Sequence, residues 1–359
     1  MQRLPVSTQT LYADLVDRAW AGSYQELVQA GGSPYKQSAH GRDYWYVKMP
    51  MVNGERRPDR YLGPDGPNVR TRLEQHKALN LIRKERMSMV RALRSSRIPG
   101  PDPISGKIMS ALSEAGAFRL RAVVVGSAAF QTYGAMLGVR LSAAAGQTSD
   151  LDIAQFHSIS LAVEDSVPDS FIETLQEVDS RFRAIPSPID GRRTLRYAIR
   201  TGSQEEFAVD LLSPHRGAER PKTTNLPALK GDAQLLRYLD FLIFGEINAV
   251  SLHGAGIPIN VPAPERYAVH KLIVSRMRSS TPSSLTKARK DIVQAQALFE
   301  VLLEDRPDDV EFVWNEALER GPKWRKNLQA AAQSLSIDIR EKLLALSGAA
   351  SGPEGPGGS

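Results

Sequence analysis

Two aspartates stand two residues apart in Thr148-Ser149-Asp150-Leu151-Asp152-Ile153-Ala154, with apolar residues between and after them. On a strand, residues i and i+2 share a face, so the two carboxylates sit side by side and repel each other unless a cation lies between them. Hard oxygen donors of this kind suit Mg²⁺ or Mn²⁺. A third acid, Asp210, falls in the middle of the apolar run Glu206-Phe207-Ala208-Val209-Asp210-Leu211-Leu212. A carboxylate removed from water is costly unless it is paired or binds a metal, so Asp210 needs a cationic partner. The ion implied by Asp150 and Asp152 is the simplest one. Three carboxylates from two neighbouring strands around one or two ions would clamp the attacking and leaving oxygens of an in-line phosphoryl transfer.

Gly126-Ser127 supplies the complementary half, because it ends the β-branched run Ala122-Val123-Val124-Val125 and opens a helical pattern. Such a junction points backbone N–H groups and a hydroxyl at an anion, and glycine lets a phosphate come close to the backbone. Ser127 has no His and Asp partners at recognisable spacing, which argues against a hydrolase triad. His40, His76, His157, His215, His253 and His270 show no metal-ligand spacing, and surface or core roles are expected for all six.

The elements that must position these groups read as a mixed α+β chain. Strands are expected over Phe118–Val125, Asp150–Ala154, Ser158–Ala162, 194–200 and 206–212. Helices are expected over Ser105–Ala115, after Ser127, over 168–181 and from 231, and then over 264–278, 284–304 and 308–347. Ahead of them, 7–29 and 69–95 read as helices, and Asp43–Met49 and Arg56–Leu62 as two strands around Asn53-Gly54. The fold class is therefore α+β: a mixed-sheet core, a C-terminal helical bundle and a small basic N-terminal hairpin and helix region. The expected divisions are 1–100, 101–260, 261–348 and a disordered low-complexity tail, 349–359.

The chain has 359 residues and no cysteine, which excludes a disulfide framework, a thiolate metal site and a cysteine nucleophile. No apolar stretch approaches the ~18–20 residues of a membrane span, and the first ten residues have no secretory apolar region, so a cytoplasmic protein with no membrane partner is expected. The net charge of +6 is concentrated at the start: residues 1–100 hold 17 Lys and Arg against 9 Asp and Glu, and the remainder 29 against 31. A basic segment beside a near-neutral one suits a polyanionic partner. Tyr44, Trp45, Tyr46, Lys48, Arg56, Arg57, Arg60 and Tyr61 mix aromatics with cations, as base stacking and phosphate contact require, although the same aromatics would also cover the following helix.

Gly126-Ser127, Asp150-x-Asp152 and Asp210, in this order, resemble the active-site signature of the DNA polymerase β-type nucleotidyltransferase superfamily. The longer string from Val125-Gly126-Ser127 through Leu137-Gly138 to Asp150-x-Asp152-x-Ala154-Gln155-Phe156 is similar to a bacterial branch of it, over about residues 105–305. The 23 positions from Ser127 to Asp150 exceed those of compact members and imply an insertion around Arg140–Gln147. Pro264-Glu265, Lys271 and Arg289-Lys290-Asp291 resemble the abortive-infection and toxin–antitoxin nucleotidyltransferases. The resemblance implies transfer of a nucleoside monophosphate from an NTP to an acceptor, with Asp150, Asp152 and Asp210 holding Mg²⁺ or Mn²⁺. Gly126, Ser127 and Lys271 would then hold the phosphates and Asp291 would orient Lys271 or an arginine. It implies RNA, tRNA first, as acceptor through the basic N-terminal region, and an antitoxin protein as a further partner. A protein acceptor and a non-catalytic RNA- or partner-binding module are the alternatives.

Overall fold

The structure is a computed structural model describing residues 2–26, 33–39, 42–48, 51–52, 55–56, 59–141, 150–188, 191–202, 204–215, 223–278 and 280–346. The chain opens with a short strand β1 (Gln2–Arg3) and helix α1 (Val6–Glu26). Strands β2 (Ser33–Ala39), β3 (Arg42–Lys48), β4 (Met51–Val52), β5 (Glu55–Arg56) and β6 (Arg60–Pro64) follow. β4 and β5 pair Val52 with Glu55, the hairpin expected around Asn53-Gly54, while β2, β3 and β6 form an antiparallel sheet in the order β2-β3-β6. Helix α2 (Pro67–Ser95) starts with proline, whose missing N–H is no loss in a first turn. In α3 (Pro103–Glu114) the Asp102 carboxylate caps the start, accepting from Ile104 N and Ser105 N.

The core then runs through β7 (Val123–Val124), α4 (Gly126–Met136), β8 (Val139–Arg140), β9 (Asp150–Ala154), α5 (His157–Ala162) and α6 (Phe171–Val178). It continues with β10 (Arg183–Pro186), β11 (Thr194–Thr201), β12 (Gln204–Pro214), β13 (Thr223–Leu226), β14 (Gly231–Leu236) and α7 (Leu239–Leu242). A hairpin of β15 (Ile247–Ser251) and β16 (Ile257–Val261) closes it. The main sheet has the order β10-β11-β12-β9-β7-β16-β15, with β14 beside β12 and β13 beside β14. It is mixed: β12 runs parallel to β9 and β14, and β16 to β7, whereas β7–β9 and β11–β12 are antiparallel. Helices α8 (Pro264–Met277), α9 (Pro282–Asp305), α10 (Pro307–Glu319), α11 (Pro322–Ala332) and α12 (Ile337–Leu346) pack together around fully buried Trp314, Phe299 and Leu328.

Four local expectations change. Ser158–Ala162 lies in helix α5, because Ser160 turns inward, where its Oγ accepts from Ala228 N, while Leu161 faces solvent. The strand expected over Phe118–Val125 shrinks to two residues. Arg121 takes a positive φ of 65°, and the Asn260 side chain holds the Phe118 and Ala122 carbonyls as a turn. The helix expected from 231 begins as strand β14, since Gly231 fits against Leu211 and Phe171 where a Cβ would lie 2.9 Å from each. The long helix expected over 308–347 breaks at Gly321-Pro322, where φ is 121°, and again near Ser334.

Helix α1 is built into the core: Tyr12 accepts from Val250 N and donates to Val250 O, and Trp20 Nε1 donates to Ala249 O. Leu93 of α2 and Ile98 are buried in the same cluster, so the Pro-rich stretch 98–103 is packed down. Among the described residues no helix is long and apolar enough to cross a membrane. The tail 349–359 and most of the insertion, 142–149, lie outside the described residues.

Candidate active site

Parallel pairing of β9 with β12 sets Asp152 in register with Asp210 and Asp150 with Ala208. Leu151, Ile153, Val209 and Leu211 are buried in the core, so the alternation of a strand turns all three acids to the opposite face. Against that face lie helices α8 and α9, and between them is a cleft of about 460 Å³ lined by Asp150, Asp152, Asp210, Gly126, Ser127, Lys271 and Asp291. Every residue expected from the sequence to form the site is in its wall.

Gly126 is required there twice over. Its φ of 65° belongs to the left-handed region, and a Cβ would meet Asp152 Oδ2 at 2.7 Å. The Val125 N–H donates to the Asp152 carbonyl at 3.0 Å, which fastens the β7–α4 junction to the acid strand. Tyr267 of α8 donates its hydroxyl proton to the Gly126 carbonyl at 2.9 Å, and its ring packs against Phe130 and Tyr133 of α4. One helical turn on, Lys271 therefore has a fixed place beside the junction. Its ammonium lies 5.1 Å from the Tyr267 ring centroid and donates to Asp291 Oδ1 at 2.7 Å. Arg278 donates to Asp291 Oδ2 at 3.0 and 2.9 Å, so one almost fully buried carboxylate orients two cations.

The sequence reading left out several further groups. Arg196 of β11 makes a two-pronged bond to Asp210, Nε to Oδ1 at 2.9 Å and Nη2 to Oδ2 at 2.6 Å, and its third nitrogen reaches Glu205. The cationic partner that Asp210 needed is thus supplied by the protein. Lys287 of α9 stands 4.0 Å from Asp150, and Lys290 lines the same wall. His270 also faces the cleft, where burial and then Lys271 push its pKa down to about 3, so it stays neutral. Leu239, Leu242 and Val274 form the apolar part of the same wall.

Burial first, then the Asp210 and Asp150 charges, push the Asp152 carboxyl up to about 7, against the pull of Lys271 and Lys287. Among the described residues no three His, Asp or Glu side chains converge as a ready-made metal cage. The donor set nevertheless fits a divalent cation. The Asp152 carboxylate makes no hydrogen bond or ion pair within the described residues, and Asp150 has Lys287 only at 4.0 Å. Arg196 uses two of the roughly four acceptor positions of Asp210 and leaves the others available.

The sequence model of one protein family, described as nucleotidyltransferase, matches residues 104–319, more than half of the chain. No curated protein matches it. Among solved structures, an antigenic nucleotidyltransferase-like protein from Paracoccidioides brasiliensis is similar at 11% identity. The match covers 65% of this chain and 95% of that one with a TM-score of 0.28.

Proposed function

The chain belongs to the nucleotidyltransferase family, and from that premise we infer that its cleft transfers a nucleoside monophosphate from an NTP to an acceptor hydroxyl and releases pyrophosphate. The observation that carries this is Asp152 pressed against Gly126, in register with Asp210, with Lys271 across the same cleft. Asp150, Asp152 and Asp210 would hold Mg²⁺ or Mn²⁺, which supplies charge neutralisation to the triphosphate oxygens. The chain's own groups do the rest. Gly126 and Ser127 offer N–H and hydroxyl donors to the phosphates, and Lys271, Lys287 and Lys290 balance their charge. Tyr267 and Asp291 keep Lys271 in place, as bond-making geometry demands. The apolar wall of Leu239, Leu242 and Val274 receives the base, and Asp210 takes the acceptor proton. The order of these motifs supports the polymerase β-type superfamily as the wider relationship.

RNA, tRNA first, is the acceptor favoured by the basic surplus of residues 1–100. Incubation with an NTP labelled at the α or the γ phosphate, in the presence of Mg²⁺ and total tRNA, tests both statements. Label from the α position on RNA supports them; label on protein moves the acceptor to a hydroxyl of a polypeptide; no transfer from either sinks the enzyme reading. The likeness around Pro264-Glu265, Lys271 and Lys290-Asp291 supports a toxin held in check by an antitoxin. Growth arrest on expression of the wild-type chain but not of Asp152→Asn is the outcome that reading requires.

A further inference from the structure

The sheet β2-β3-β6 has two unlike faces. Along β3, Arg42, Tyr44, Tyr46 and Lys48 alternate with Asp43, Trp45 and Val47, and alternate residues of a strand point to opposite sides. The second set turns towards helix α2. Val47 is fully buried, and Trp45 Nε1 donates to Asp65 Oδ1 at 3.3 Å. Gly63, opposite Trp45 in register, lies so close to α2 that a Cβ there would sit 3.0 Å from Val69.

The first set faces away from the helix. Tyr35 of β2 and Tyr61 of β6 both stand opposite Tyr46 in register and so share its side. The Tyr35 and Tyr46 rings stack at 5.6 Å with 21° between their planes. Tyr46 and Tyr61 lie 5.3 Å apart, and Tyr44 and Tyr61 6.3 Å apart. Four tyrosines thus form one contiguous aromatic surface, with Tyr61 53% exposed. Arg42 and Lys48 stand exposed at its two ends, and neither makes an ion pair among the described residues. At ~3.3 Å per residue they are about 20 Å apart.

Tyr35, Tyr44 and Tyr46 are half-buried beside Tyr61, and an aromatic cluster that keeps part of its surface in water on a folded domain marks an interaction surface. Flat rings on a sheet with a cation at each end match a short single strand, whose bases stack on aromatic faces while its phosphates seek Lys and Arg. The surplus of cations over residues 1–100, 17 against 9, favours a polyanion over a peptide. We propose that the Tyr35–Tyr44–Tyr46–Tyr61 face binds single-stranded RNA, with two or three bases on the tyrosines and flanking phosphates on Arg42 and Lys48. This rests on the reading of RNA as the acceptor and places the grip on the tyrosine face, with Trp45 on the other side of the sheet.

The test uses the full chain without NTP and a short fluorescein-labelled oligouridine, read by anisotropy. Tyr44→Leu and Tyr61→Leu should each weaken binding by roughly 5- to 150-fold, the weight of one stacked base. Arg42→Gln with Lys48→Gln should lower the slope of log K against log salt by about 1 to 2 while leaving the melting temperature unchanged. Unchanged affinity in both tyrosine variants overturns the proposal, as does an unchanged salt slope in the double variant. A dimer that the Tyr→Leu changes convert to monomer in sedimentation also overturns it, because the face would then be covered by a second copy of the chain. Transfer of α-label to RNA, measured on the same variants, separates the two claims. Transfer by chains with unaltered oligouridine binding removes the tyrosine face and keeps the acceptor, whereas tyrosine-dependent binding without any transfer does the reverse.

Discussion

In the cleft, Lys271 and Arg278 share Asp291, and Arg196 is bonded at both ends of its fork to Asp210. On the tyrosine face, Arg42 and Lys48 answer no carboxylate among the described residues. The first arrangement fixes each cation in one geometry before a ligand arrives, as a transfer reaction needs, because a group that must be ordered during the reaction adds to the barrier. The second leaves side chains able to follow a partner whose phosphates vary in position. Packing agrees with charge. Tyr267 and Asp291 are buried, whereas Tyr61 is half exposed and its neighbours Tyr44 and Tyr46 are half-buried.

The largest effect should come from breaking the fixed arrangement. Asp291→Asn leaves two cations at a nearly closed site without a charge partner, and removing one member of a buried pair is strongly destabilising. Arg278 keeps about a third of its side chain in water, which relieves part of the cost, so a loss of about 3 kcal/mol in chemical denaturation is expected. A loss below about 1 kcal/mol, the ordinary surface-pair value, would show the cluster to be solvated and erase the contrast with the tyrosine face.

Next in size is Asp152→Asn. Transfer should fall by at least ~10²-fold, the order for losing a catalytic charge. Stability should hold or rise, because the change removes a carboxylate that burial, Asp210 and Asp150 all oppose. Normal transfer rates in this variant would detach the acid strand from the chemistry.

The raised Asp152 pKa also fixes the sign of a pH dependence. The folded chain keeps this proton up to about 7 while an unfolded one loses it near 3.8, so the folded state binds more protons in between. Stability from this group is complete below 3.8, declines as pH rises and is lost above about 7. Asp152→Asn should flatten that decline in melting temperature. Cation affinity runs the opposite way, because only the carboxylate binds, and should climb as pH rises through about 7. A melting profile that is the same in wild type and variant would show Asp152 to be better hydrated than its position implies.

Asp150, Asp152 and Asp210 were legible because an acid inside an apolar alternating run has few structural uses, and Gly126 because only a special backbone needs glycine between a buried strand and a helix. Arg196 was not legible. Its link to Asp210 depends on the β11–β12 register, in which Tyr197 opposes Val209, and nothing in Thr194-Leu195-Arg196 reveals that pairing. Tyr267 carried no signal in the sequence, and only its hydroxyl bond to Gly126 makes it a positioning residue for Lys271. His270 was expected on the surface or in the core, and it lines the cleft because α8 packs across the acid strand. Among the elements, long amphipathic helices such as α2 and α9 showed by periodicity. The α5 turn did not, because Ile159 and Leu161 imitate a strand pattern over five residues.

The smallest effect tests the two faces of a single strand. Trp45 and Tyr46 are neighbours in sequence, yet the alternation of β3 sends the first towards α2 and the second outward. Trp45→Phe removes the indole N–H that donates to Asp65 and keeps an aromatic ring in the packing. Asp65 retains Arg70, which donates through Nε and Nη2 at 3.1 Å, so the carboxylate is not stranded. The cost should therefore be that of one ordinary hydrogen bond, about 0.5–1.5 kcal/mol. Oligouridine affinity should stay within twofold, since no base reaches that side of the sheet. Unchanged stability with weakened RNA binding would reverse the assignment of the faces, and the tyrosines would then be the residues that merely cover structure.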